Sequence, residues 1–176
     1  MQPAHLKDLT EQVVVLSIER LSLVFPQHEI RTLEPVLDLE PGEYSLSVGD
    51  IVLDEGTWPV FSLTEDLELL ASAPERARVC VLMSHEKWRF GLLCDKVANK
   101  TAQDMMPKRL PECMRQGTSV VHGLCVAENQ VMCLTRAESM WRYLGSLGCG
   151  FAEYEFEDQR DLSDLTATMI LRTVSL

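Results

Sequence analysis

Residues 78–97 hold the pattern that leaves the fewest folds open. Arg78-Val79-Cys80-Val81-Leu82-Met83 is an apolar run and Ser84-His85-Glu86-Lys87 a polar turn; Lys87-Trp88-Arg89-Phe90-Gly91-Leu92-Leu93-Cys94-Asp95-Lys96-Val97 is a second apolar run. Two such runs joined by a short polar segment read as a β-hairpin. The second run carries a glycine and then an aspartate, both depleted in strands, so each needs a local reason. Gly91 predicts a bulge or the close approach of another backbone. Asp95 predicts a corner in which its side chain bonds the main chain.

The rest of the chain reads in similar units. Val13-Val14-Val15-Leu16-Ser17-Ile18 and Leu21-Ser22-Leu23-Val24-Phe25 make a hairpin around Glu19-Arg20, stopped by Pro26, which cannot donate to a ladder. Gln27 to Leu33 suits a short helical turn or a bend. Strands follow over 35–39 and over Tyr44-Ser45-Leu46-Ser47-Val48, where apolar and polar residues alternate. Ile51-Val52-Leu53, the exposed turn Asp54-Glu55-Gly56-Thr57 and a strand from Trp58 complete the first half. Ser62-Leu63-Thr64-Glu65 has the form of a capping box and predicts a helix from about Leu63 to Ala71. In the second half Ala98 to Met106 mixes strand and loop character, and 107–111 is a loop. Ser119 to Val126 and Val131 to Leu134 are strands around a turn at 127–130. Thr135-Arg136-Ala137-Glu138 is a second capping box, opening a helix to about Leu144. The two halves echo each other, which predicts a mainly β protein of two small units, each finished by a short helix.

The last stretch differs. Gly145, Gly148 and Gly150 mark a flexible break, after which Ala152, Tyr154 and Phe156 alternate with Glu153, Glu155 and Glu157. That pattern predicts an edge strand charged on its outer face. Residues 151–176 hold six acids against two basic residues and are expected to lie outside the barrel cores, docked on a flank or on a partner.

Composition removes several function classes. The net charge is −11 and no Lys/Arg cluster exceeds two adjacent residues, whereas phosphate backbones require a basic surface. The apolar runs are far shorter than the roughly 20 residues a spanning helix needs, so no membrane insertion is expected. The N-terminus lacks the basic start and apolar core of a secretion signal, and a cytoplasmic protein is expected. The six cysteines (80, 94, 113, 125, 133 and 149) form no C-x-x-C pair. They read as reduced, mostly buried small hydrophobes, with no metal and no cofactor. There is no G-x-G-x-x-G, P-loop or G-x-S-x-G spacing, no histidine is assigned a chemical role, and no catalytic residue is assigned.

The hairpin with its hydrophobic-Gly-Leu-Leu-hydrophobic-Asp-basic-Val sequence resembles the centre of the CheW-like coupling domain of bacterial chemotaxis systems. The order of elements agrees over 11–144, leaving 1–10 as an N-terminal arm and 145–176 as an acidic C-terminal extension. Family members carry a Gly-hydrophobic-Ile-Asn-Leu-Arg-Gly stretch followed by Pro-Val. Here Gly49, Ile51, Leu53, Pro59 and Val60 stand at those positions with the same ten-residue step from glycine to proline. Gly91, Leu92, Leu93, Asp95 and Val97 match the second motif, and Gly123 with Leu134-Thr135 the last. Gly49, Pro59, Gly91, Asp95 and Gly123 are thus expected to be structural. The resemblance implies two SH3-like five-stranded β-barrels packed together with short capping helices. It implies a non-enzymatic adaptor that couples a histidine kinase or receptor to other components of a chemotaxis-type system.

The departures concentrate in one place. Asp50 replaces the first hydrophobic residue, Val52 the asparagine, Asp54 the arginine and Glu55 the glycine. The family's arginine region is implicated in its coupling contacts, so Val52, Asp54 and Glu55 are the candidate partner-binding residues. The charge reversal at Asp54 makes the turn acidic, which suits a basic partner surface. A β-barrel ligand-binding module or an enzyme unrelated to chemotaxis is the alternative reading.

Overall fold

The computed structural model describes residues 12–114 and 119–153. In chain order the strands are β1 (Gln12–Ile18), β2 (Leu21–Pro26), β3 (Ile30–Pro35), β4 (Gly49–Leu53), β5 (Gly56–Phe61), β6 (Val79–His85), β7 (Trp88–Cys94), β8 (Lys96–Thr101), β9 (Met106–Arg109), β10 (Gly123–Ala127) and β11 (Gln130–Leu134). One α-helix, α1 (Ala137–Ser146), and a two-residue strand, β12 (Ala152–Glu153), follow. The protein is mainly β, built from two curled sheets. The first runs β8-β1-β2-β11-β10-β9 and the second β3-β6-β7-β5-β4, with β12 added beside β7.

Both sheets are wired alike. Each joins two antiparallel hairpins through one parallel contact: Leu23 and Val24 beside Cys133 and Leu134 in the first, Val60 and Phe61 beside Gly91 and Leu92 in the second. The repeat legible in the sequence is therefore real, but its units are not consecutive halves. The second barrel is continuous from β3 to β7 and is inserted between β2 and β8 of the first.

Side-chain alternation explains why the barrels pack together. Along β1, Val13 and Val15 point into the first barrel, while Val14, Leu16 and Ile18 point out into a layer between the sheets. Along β6, Cys80 and Leu82 fill the second barrel, and Val81 and Met83 face the same shared layer. Strands covered on both faces read as unbroken apolar runs. Met140 and Leu144 of α1, with Phe25, Phe61, Phe90 and Leu92, complete the layer.

Several local expectations are corrected. No helix forms over 63–71: Thr64 Oγ1 accepts from the N–H groups of Asp66 and Glu68, 3.3 and 3.1 Å, and Leu67 sits at φ 64°. Such side-chain bonds offer the backbone an alternative to the helix. Residues 44–48 turn instead of extending, because Ser47 bonds Tyr44 O through both its N–H and its hydroxyl. Val36–Asp38 is a 3-10 turn, so the strand there ends at Pro35. The segment from Gln27 is a 3-10 turn only to Glu29, and β10 starts at Gly123 rather than at Ser119.

Helix α1 exists but not with the expected cap. Thr135 is buried and its hydroxyl donates to Val120 O, 2.6 Å. Glu29, from the β2–β3 connection, supplies the missing acceptor: Oε2 accepts from Ala137 N, 2.7 Å, and Oε1 pairs with Arg136 Nε, 2.8 Å. Gly145 lies within α1, and beyond the helix the chain is held at Gly150, whose N–H donates to Ser45 O, 3.2 Å, and at Cys149, which belongs to the shared layer. Phe151 sits among Phe61, Trp88, Phe90 and Trp141, and Ala152 is buried. Phe151 and Ala152 thus lie against the second barrel, with β12 paired to β7. Residues 1–11 and 154–176, including the rest of the acidic extension, lie outside the described residues.

Candidate functional site: the open edge of the second barrel

The β4–β5 hairpin carries the three residues expected to meet a partner. Its turn is tighter than expected, only Asp54-Glu55, with Gly56 and Thr57 already in β5. Gly56 stands at φ 121°, a region L side chains rarely enter, and a Cβ there would lie 2.6 Å from the Arg89 guanidinium. Asp54 is exposed. Glu55 is not available in the same way, because its carboxylate is gripped on both oxygens by Arg31, Nε at 3.1 Å and Nη2 at 2.7 Å. Arg89 Nη1 also donates to the carbonyl of Glu55, 2.7 Å. The exposed negative charge at the turn is therefore that of Asp54, and Glu55 is occupied in holding β3 to the hairpin.

Val52 is 54% exposed on the outermost strand of its sheet. Beside it lies an open cavity of about 410 Å³ lined by Glu34, Leu37, Asp38, Glu40, Val52 and Leu53. Leu37 stands at the tip of the 3-10 turn and is 94% exposed. Every titratable lining residue is an acid. These neighbours were missed in the sequence because Pro35 to Leu39 reads as a plain strand. The only local signal is the adjacent apolar pair Val36-Leu37 between Pro35 and Asp38, which breaks strict alternation.

Asp50 marks where this edge stops being paired. Its N–H donates to Glu40 O, 2.9 Å, and its carbonyl accepts from Glu40 N, 2.8 Å. The bridge is isolated: among the described residues no pairing on this edge of β4 continues to Val52. The Asp50 side chain is buried, with Oδ2 accepting from Glu43 N at 3.1 Å and Oδ1 without a partner. Burial first, then the nearby Glu43 and Glu40, pushes its carboxyl above the ordinary range. Pro59 lies opposite Asp50, a position whose N–H would point away from β4, so the missing donor leaves that hairpin intact.

The remaining motif residues sit elsewhere in the frame. A Cβ on Gly49 would be 2.5 Å from Glu40 O, and one on Gly91 would be 2.6 Å from Leu82 Cδ2. Gly91 makes room for the side chains of Leu82 and Val60, rather than for a bulge or for another backbone as expected, and its strand keeps its register with β6 throughout. Gly123 is packed between Leu134 and Lys108 O. Asp95 makes the expected corner at the junction of the barrels: Oδ2 accepts from Glu19 N, 2.8 Å, and its own N–H donates to Ser17 O, 2.8 Å. Arg76 ties the corner together, 3.3 Å from Asp95 and 2.7 Å from Glu19. His122 Nε2 and Ser139 Oγ also meet, a contact that pins the first turn of α1 and that sequence spacing did not suggest. Among the described residues no three His, Cys, Asp or Glu side chains are grouped to hold a metal.

A solved structure shares this architecture. It is the crystal structure of the scaffolding protein TtCheW from Thermoanaerobacter tengcongensis, which superposes with a TM-score of 0.53 over 72% of this chain and 88% of that one, at 16% identity. The fold is CheW-like. No family model matches the sequence, and no curated protein does. No helix among the described residues is long and apolar enough to cross a membrane.

Proposed function

We propose that this protein is a non-catalytic adaptor of a bacterial chemotaxis-type signalling system, coupling a histidine kinase or receptor to other components through protein–protein contacts. The observation that carries this reading is the double barrel shared with a protein described as a scaffold. The geometry of the hairpin supports it: Val52 and Asp54 are displayed at a sheet edge, while Glu55, Arg31 and Arg89 brace the turn from behind. Adaptor binding needs such a rigid, exposed edge and no reacting group. Asp54 stands where the resemblance places an arginine, so the surface favours basic partners over the family's usual ones. Like charges brought together at an interface cost several kcal/mol.

The test is binding of the full chain to the regulatory domain of the chemotaxis-type kinase from the same cell, and to the receptor signalling tip, with Asp54→Arg alongside. Weak kinase binding by the wild type that Asp54→Arg tightens about tenfold supports a contact at this turn. Tight binding that the substitution leaves unchanged places the turn outside the contact. Failure of both forms to bind kinase and receptor overturns the adaptor reading.

A further inference from the structure

The acid-lined notch beside β4 combines three properties that together define an occupant. It is open, with Leu37 94% and Val52 54% exposed. Its charged lining, Glu34, Asp38 and Glu40, is of one sign, and the nearby cation Arg31 is engaged by Glu55. It also lies along an unfinished backbone edge. Because Asp50 directs both its N–H and its C=O outward to Glu40, the two-residue period of the strand directs those of Val52 to the same side. The existing bridge to Glu40 shows the geometry an added strand would continue.

We propose that this notch is a docking site for an extended, basic segment of a partner protein, one alternating Lys or Arg with apolar residues. The segment adds to β4 at Val52, seats an apolar side chain against Leu37 and Val52, and sets its cations against Glu34, Asp38 and Glu40. Main-chain pairing gives such strand addition its affinity, and the side-chain pockets give it selectivity. The carboxylates accept only, so an acidic strand of the same shape is rejected. This inference rests on the adaptor reading and names the partner chemistry of one of its surfaces.

The experiment uses the full chain and a fluorescein-labelled nonapeptide alternating lysine and valine, read by fluorescence anisotropy at low and high salt. The matching glutamate–valine peptide is the control. The lysine peptide is expected to bind at least about tenfold tighter than the glutamate peptide, and to weaken as salt rises. Glu34→Lys combined with Asp38→Lys should remove most of that preference. Val52→Pro deletes the outward N–H while keeping an extended backbone, and should weaken the lysine peptide about fivefold. Melting curves of both variants check that they fold, and amide exchange in the wild type gives an independent reading: the Val52 N–H should slow when the peptide binds. Equal binding of the two peptides, or unchanged exchange at Val52 under saturating peptide, overturns the inference. Either result leaves the kinase and receptor assays untouched, so failure of the notch and failure of the adaptor reading are told apart.

Discussion

Asp50 and the cysteines show how one sequence property, a polar or reactive side chain in an apolar run, takes opposite consequences from its surroundings. Asp50 is buried with one oxygen unpartnered, and its carboxyl titrates above the ordinary value of 3.8. An acid whose pKa is raised by folding favours the fold when protonated. The associated stability is complete below 3.8 and is lost as pH rises through the higher folded value. Asp50→Asn keeps an acceptor for Glu43 N without the charge. It should raise the melting temperature at pH 7, by an amount that shrinks as pH approaches 3.8. An asparagine variant less stable than wild type at every pH would contradict this account. Among the cysteines, burial pushes Cys80 and Cys94 up to about 12, and Cys125 and Cys149 to about 11, whereas Cys113 is exposed. Thiolate is the reactive form. A maleimide or iodoacetamide pulse on native protein should therefore modify Cys113 first, with Cys80, Cys94, Cys125 and Cys149 reacting only after denaturation, as peptide mass mapping would show.

At the scale of single elements, the two capping-box sequences look equivalent and have different fates. Thr64 folds its backbone into a turn that places Leu63, Leu67 and Leu69 against the shared layer. Thr135 gives its hydroxyl to Val120, and the N-terminus of α1 is capped from another part of the chain by Glu29. A carboxylate at a helix N-terminus stabilises through both the hydrogen bond and the helix dipole, about 1 kcal/mol in all. Glu29→Ala should accordingly lower the melting temperature by about 2–4 °C, the scale expected for a domain of this size. Glu138→Ala, removing the acid of the apparent capping box, should cost less. If the two variants melt in the reverse order, the local box is the working cap after all.

For the whole molecule, the decisive feature is that the largest apolar layer belongs to neither barrel alone. Leu16, Ile18 and Phe25 from the first meet Met83, Phe90 and Leu92 from the second, all essentially inaccessible to solvent. Burying such side chains contributes roughly 1.5–3 kcal/mol each. Six of them therefore represent on the order of 10 kcal/mol, as large as the net stability of a typical domain. Separate barrels would expose that layer. The chain should unfold in one transition, with tryptophan fluorescence and far-UV circular dichroism coincident, and a fragment spanning 30–94 should show no cooperative melt on its own. Two resolved transitions would show that the barrels are independent units.

The sequence by itself determined the β class, the two principal hairpins and the structural sense of Gly91 and Asp95. Those follow from short-range physics: strand propensity, the turn between two apolar runs, and the scarcity of glycine and aspartate in strands. Only the tertiary structure decided that the second barrel is inserted into the first, that Glu29 caps α1, and that Glu55 spends its charge on Arg31. Each of these joins residues far apart in the chain, so no local pattern encodes them. The notch is of the same kind. Glu34, Asp38 and Glu40 lie in one stretch of the chain, but only the fold lays that stretch beside the exposed edge of β4 at Val52 and Leu53.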